Sequence, residues 1–170
     1  LEYQQALGLL LAENGFPVMG RQYRPPTSPF DALSSYGYGV LASSMQTRLE
    51  LHGLDPYEGV LHVGSARHPA LVSDLIEPFR TLLVDPFNVW MIRTGRINAE
   101  AGFERREGGV FLNAVTRRQW MGAWAVHMAE EVQLANDRCG PRWELLDALV
   151  RSYVRFVYDP ASGLTVPRRR

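Results

Sequence analysis

Three side chains stand out for the chemistry their types and spacing allow: His62, Asp74 and Glu77. Asp74 and Glu77 lie three apart in a stretch whose apolar residues, Leu71, Leu75, Ile76, Phe79, Leu82 and Leu83, recur at helical spacing. Both carboxylates therefore leave one helical face. Two like charges on an apolar stripe repel each other and lose hydration, so something positive must balance them. His62 lies at the end of the short apolar segment Val60 to Val63, and the eleven residues before Asp74 are enough to fold its ring back toward the pair. One imidazole with carboxylates and no sulfur suits Mg²⁺ or Mn²⁺ better than structural zinc. On spacing alone a plainer account is better supported: Arg67 or Arg80 neutralises the acids and His62 is an ordinary core histidine.

The other candidates carry less. His68 beside Pro69 reads as a loop residue, and His52 and His127 have no acidic partner at ligand spacing. Ser34, Ser35, Ser43 and Ser44 lack the strand–turn–helix setting of an esterase nucleophile, and no glycine-rich phosphate loop is present. Arginine pairs at 93/96, 105/106, 117/118 and 151/155 read as solvated helix faces.

Several elements must position these residues. Leu1 to Glu13 has a helical apolar face stopped by Asn14-Gly15. Gly20 to Pro29 is an extended Pro- and Arg-rich loop. Ser28 and Pro29 then start a long helix to about Leu51, in which Gly37 and Gly39 predict close approach by a neighbouring helix. Gly53 to Gly59 (GLDPYEG) is a turn-rich connection. Pro69 opens the helix bearing Asp74 and Glu77, kinked at Pro78, and Asp85-Pro86 restarts it through Met91. Phe103 to Leu112 reads as a small hairpin around Gly108-Gly109 and as the only sheet. Asn113 or Thr116 caps a helix to about Asp137, and a last helix runs from Arg142 to about Tyr158. The expectation is one all-α, multi-helix domain over 1–160 with a single hairpin near 103–112, followed by a loose basic tail at 161–170.

Bulk composition narrows the classes. The chain has 170 residues, 46% of them hydrophobic, enough for a sizeable core. Its 18 basic residues, all arginine, balance 18 acidic ones, so any nucleic-acid binding must come from local clustering. The single Cys139 excludes an internal disulfide and a cysteine zinc cage. Without an apolar run of membrane-spanning length or a signal peptide, the reading is a cytoplasmic protein with no membrane contact. The abrupt start inside a helix at Leu1 suggests a piece of a longer protein.

Read in order, the motifs resemble the CRISPR-associated integrase family of spacer acquisition, the Cas one family, in its carboxy-terminal helical domain. The family's G-R-x-x-R-P-P is matched by Gly20-Arg21-Gln22-Tyr23-Arg24-Pro25-Pro26, and its N-A-L-L-S-F-G-Y helix by Asp31 to Tyr38. Its G-L-D-P-Y-x-G-x-L-H stands at Gly53 to His62, and its R-P-x-L-x-x-D-L-x-E-x-F-R is approached by Arg67 to Arg80. The F-x-R-R-E-G-G-V-x-L hairpin lies at Phe103 to Leu112. Together these motifs cover roughly Tyr3 to Met128.

The resemblance implies a metal-dependent DNA endonuclease and integrase. His62 and Glu77 would be ligands of Mg²⁺ or Mn²⁺ and Asp74 an auxiliary catalytic acid, with a 3′-hydroxyl attacking a phosphodiester of the CRISPR repeat. It also implies double-stranded DNA as partner, a homodimer and a Cas two protein. Charge and proximity add Arg21, Arg24, Arg67 and Arg80 as candidate DNA-binding residues. The family's third ligand, a Glu on the first helix, aligns before Leu1, and Glu2 falls on a different helical face. The family's amino-terminal β domain has no counterpart in this sequence, and Asp31 stands where Asn is usual. Two further readings stay open: a non-catalytic DNA-binding or assembly module, and a transposase-like relative.

Overall fold

The computed structural model describes residues 2–17, 25–62, 68–134 and 138–166. They form six α-helices, α1 (Glu2–Ala12), α2 (Pro29–Leu51), α3 (Ala70–Phe79), α4 (Asp85–Arg93), α5 (Ala114–Ala129) and α6 (Glu144–Tyr158). Two antiparallel hairpins accompany them: β1 (Phe103–Arg106) with β2 (Gly109–Leu112), and β3 (Glu131–Gln133) with β4 (Cys139–Pro141). The chain is thus mainly helical, as its periodicity predicts. Its contacts fall into two compact units, Leu1–Gly39 with Leu83–Trp124, and Val40–Leu82 with Ala125–Arg170.

In the first unit, α1 stops at Asn14-Gly15 as expected: Gly15 takes φ 77° and Phe16 N–H returns to the Leu11 carbonyl at 3.2 Å. At the start of α2, Ser28 Oγ accepts from Asp31 N–H at 3.1 Å and donates to its carboxylate at 2.8 Å. The acid at position 31 thereby completes a capping pair at the positive helix end. Tyr36, Phe87, Trp120 and Trp124 form an aromatic cluster, with the two indoles stacked at 5.0 Å. Trp120 Nε1 donates to buried Asn88 at 2.9 Å.

Of the two α2 glycines, only Gly37 meets a close neighbour: a Cβ there would lie 2.5 Å from Val84 and 3.0 Å from Trp120, while at Gly39 it would meet nothing within 4 Å. The β1–β2 hairpin occupies the expected residues, but Glu107-Gly108 (φ 51° and 73°) make its turn, and Gly109 already pairs with Arg106. Gly109 is glycine for another reason, since a Cβ would lie 2.7 Å from Pro25. Asn113 rather than Thr116 caps α5, its Oδ1 accepting Thr116 N–H at 2.9 Å.

In the second unit, α2 ends at Gly53 (φ 72°), with Leu54 N–H on the Leu49 carbonyl at 3.0 Å. Arg48 on α2 binds Asp147 on α6 at 2.9 Å. Pro78, where a kink is expected, lies inside α3, and one π-helical turn, Arg80–Val84, follows before α4. Two expectations fail. Helix α5 ends at Ala129 rather than Asp137, and β3–β4 is a second hairpin where only one sheet was expected. The cause is Arg142, whose guanidinium binds the His127 carbonyl and Nδ1 and the Glu130 carboxylate while its N–H bonds the Glu130 carbonyl. These ties replace the helical continuation. In the segment read as a loose tail, Pro160–Ser162 form a 3₁₀ turn capped by Asp159, and Thr165 N–H binds buried Ser152 at 2.8 Å. Arg168 to Arg170 lie outside the described residues.

Candidate functional site

The GLDPYEG connection is built to lie against the start of α3. Asp55 Oδ1 accepts Tyr57 N–H at 2.9 Å, making a short turn. The Pro56 carbonyl accepts Leu71 N–H at 3.0 Å. That bond satisfies one of the donors left open at a helix N-terminus. Gly59 then passes so close that a Cβ would sit 2.5 Å from Ala70 and 2.6 Å from the His62 carbonyl. A side chain there would push the following residues off the helix.

Those following residues converge on Asp74. One of its oxygens accepts the N–H groups of Val60 and Leu61 at 2.6 and 2.9 Å, and the other accepts His62 N–H at 3.1 Å and meets His62 Nδ1 at 2.5 Å. Its side chain is only 6% exposed. Burial alone would raise its pKa, but Leu61 N–H, the His62 ring and the N–H groups of Val60 and His62 outweigh burial and hold it below the ordinary 3.8. An ionised carboxylate only accepts, so His62 Nδ1 is the donor of this pair, and in a neutral imidazole with that tautomer the lone pair is on Nε2. The His62 side chain is 44% exposed.

Glu77 lies on the same face of α3 and binds Arg80 at 2.9 Å across the start of the π-helical turn. Arg80 is thus the partner of Glu77, as the plainer sequence account allows, while among the described residues Asp74 is met by N–H groups and an imidazole. Among the described residues no group of three His, Cys, Asp or Glu side chains is arranged to hold a metal ion. His62 Nε2 and the Glu77 carboxylate nevertheless have the donor chemistry of a partial Mg²⁺ or Mn²⁺ set, the imidazole oriented from behind by a carboxylate as metal-ligating histidines are.

Two residues that spacing did not single out join this neighbourhood. The ring of His68 lies edge-on to that of His62 at 6.2 Å, and its Nε2 meets Ser73 Oγ at 3.1 Å. Burial and the nearby Asp74 charge raise the pKa of Tyr153 on α6. A His before Pro carries no such signal, and Tyr153 is some eighty residues from the motif. His127, set aside for want of an acidic neighbour, has Glu130 at 3.6 Å, but its cluster is built around Arg142. Arg21, Arg24 and Arg67 lie outside the described residues, and Arg80 is the described member of the arginine set.

Comparison with known proteins supplies the context. The family model described as CRISPR associated protein Cas1 matches residues 2–125. The CRISPR-associated endonuclease Cas1 1 of Thermus thermophilus is 39% identical over 130 residues, which cover 76% of this chain and 40% of that protein. A solved Cas6-RT-Cas1–Cas2 complex superimposes with a TM-score of 0.83 at 26% identity, over 99% of this chain and 18% of that one. A casposase bound to its integration product shares the fold, with a TM-score of 0.71 at 22% identity over 79% of this chain and 39% of the casposase. The sequence spans about two-fifths of the length of the Thermus relative.

Proposed function

This chain belongs to the CRISPR-associated Cas1 family, and on that premise we propose that it is the helical catalytic part of a divalent-metal-dependent DNA integrase and endonuclease. Its activity would join a 3′-hydroxyl of incoming DNA to a phosphodiester of a CRISPR repeat. The observation that carries the reading is the His62–Asp74 pair: a nearly buried carboxylate holds Nδ1 of a part-exposed imidazole, which leaves Nε2 as the ring nitrogen for a ligand. Family membership supports the reaction class; the geometry supports these residues.

In this reading His62 Nε2 and the Glu77 carboxylate hold Mg²⁺ or Mn²⁺, and a third ligand completes the set. Such an ion supplies charge stabilisation at a phosphoryl oxygen and at the leaving alkoxide, so no protein nucleophile is needed. Asp74 is a positioning residue: it accepts the Nδ1 proton and keeps the ring from turning. Arg80 steadies Glu77, and Arg80 with Arg21, Arg24 and Arg67 is proposed to contact the DNA backbone. Double-stranded DNA, a homodimeric partner and a Cas2 protein are the proposed partners, the last supported by the Cas1–Cas2 complex that this chain resembles. The proposed setting is the cytoplasm, with the helical domain spanning 1–160 and a basic tail beyond; no helix among the described residues is long and apolar enough to cross a membrane.

The test is DNA joining by full-length protein with Mn²⁺ or Mg²⁺. His62→Ala and Glu77→Gln are each expected to abolish joining and to weaken Mn²⁺ binding. Wild-type joining by both variants would sink the assignment.

A further inference from the structure

We infer that Val60 and Leu61 form a rigid apolar prong that enters the target duplex beside the phosphate held at His62 and loosens the base stack there; the inference rests on the DNA-joining reading above. As a short apolar run, residues 60–63 would ordinarily be buried. Instead Val60 is 70% and Leu61 79% exposed. The cause is Asp74, whose carboxylate gathers the N–H groups of residues 60, 61 and 62, so the backbone curls around a nearly buried acceptor and leaves the side chains outside. Gly59, packed against Ala70, fixes the entry to this turn.

A lone exposed leucine needs no explanation. These two differ in being consecutive, anchored by three hydrogen bonds, and joined without a break to the proposed ligand His62. Neighbouring Cα atoms are about 3.8 Å apart, and successive nucleotides of a strand rise about 3.4 Å. A nucleotide adjoining a phosphate at His62 is therefore within reach of the Leu61 side chain. Phosphate oxygens give an isobutyl group nothing, whereas sugar faces and base edges do, and aliphatic wedges between base pairs are a recurrent way to unstack and kink a duplex. A kinked step turns the phosphodiester outward, where an incoming 3′-hydroxyl can approach in line.

The experiment uses full-length protein, a target duplex with 2-aminopurine beside the joined phosphate, and a second target carrying a mismatch at that step. Binding of wild type to the intact duplex should raise 2-aminopurine fluorescence, and Leu61→Ala or Leu61→Ser should abolish the rise. Joining into the intact duplex should fall about tenfold or more in Leu61→Ala, the scale of one buried leucine side chain. Leu61→Met should retain joining, and the mismatched target should restore Leu61→Ala to near wild type. Both readouts unchanged in Leu61→Ala, or equal loss on both targets, would overturn the inference. Altered self-association or partner binding with unchanged fluorescence would assign the prong to a protein contact and also overturn it. His62→Ala should fail on both targets; if it joins normally, the metal reading fails, and the fluorescence arm, which needs no joining, still decides the prong.

Discussion

Replacing Asp74 by Asn tests the site's central premise, because it keeps the shape of the side chain and changes only what it can accept. The carboxylate has four donors, two on each oxygen. An amide offers one acceptor oxygen and one NH₂. If the oxygen faces Val60 and Leu61, the NH₂ meets His62 N–H donor to donor, and His62 Nδ1 must become the acceptor. The ring proton then moves to Nε2 and removes the lone pair a metal needs. If the amide is flipped, the His62 contacts survive and those to Val60 and Leu61 are lost. The first orientation loses one of the four bonds and reverses another, and the second loses two. Hydrogen bonds to a charged acceptor contribute roughly 1.5–3 kcal/mol each, but residues 60–62 are exposed and water replaces part of the loss. The expected stability cost is therefore about 1–3 kcal/mol. Loss of a ligand's orienting partner weakens metal binding by about 10–100-fold. Thermal unfolding in EDTA reads the first quantity, Mn²⁺ titration by calorimetry the second, and the ring ¹⁵N shifts of His62 report the tautomer. An Asp74→Asn variant that binds Mn²⁺ with wild-type affinity although the ¹⁵N shifts of its metal-free form place the ring proton on Nε2 would refute the orientation argument, whatever its melting temperature.

Further predictions concern the frame around the site. Gly37→Ala and Gly39→Ala should move stability in opposite directions: the first forces a methyl against Val84 and Trp120 and should cost about 1–3 kcal/mol, the second should gain up to about 1 kcal/mol in helix propensity. Trp120→Phe takes the indole N–H from Asn88, which is fully buried, and should destabilise by about 1–3 kcal/mol in chemical denaturation; an unchanged midpoint would mean that Asn88 finds another donor. Burial, with Arg142 assisting against the opposing pull of Glu130, lowers the His127 pKa from 6.5 to about 4. The folded chain thus keeps this imidazole neutral where the unfolded chain takes up a proton, so stability falls as pH drops from about 6.5 toward 4. The loss should reach about 2 kcal/mol after allowance for partial exposure, and urea titrations of His127→Gln should show a flatter pH dependence.

The sequence was most legible where a local rule decides the structure. Ser28 and Pro29 start α2, Gly15 and Gly53 stop helices in the left-handed conformation, and the residues around Gly108 turn a hairpin, each for reasons contained within a few residues. It was least legible where a distant residue competes with a local pattern. The α5 periodicity continues past Ala129, yet Arg142 captures the His127 carbonyl and the Glu130 backbone, and the chain turns into β3. Nothing within residues 114–137 announces that competition.

The candidate site shows both regimes at once. Spacing singled out His62, Asp74 and Glu77, because helical period and charge are local properties. It could not apportion their roles, since these depend on which donors the 53–62 segment brings to each carboxylate. Asp74 receives three backbone N–H groups and a ring, whereas Glu77 receives one guanidinium and is about half exposed. Two acids three residues apart on one helix are thereby differentiated by their partners, one meeting the imidazole and the other a guanidinium. The same division explains why the apolar run at 60–61 faces solvent: the acid that orients His62 takes up the backbone polarity of the residues before it, and their side chains have only the outside left.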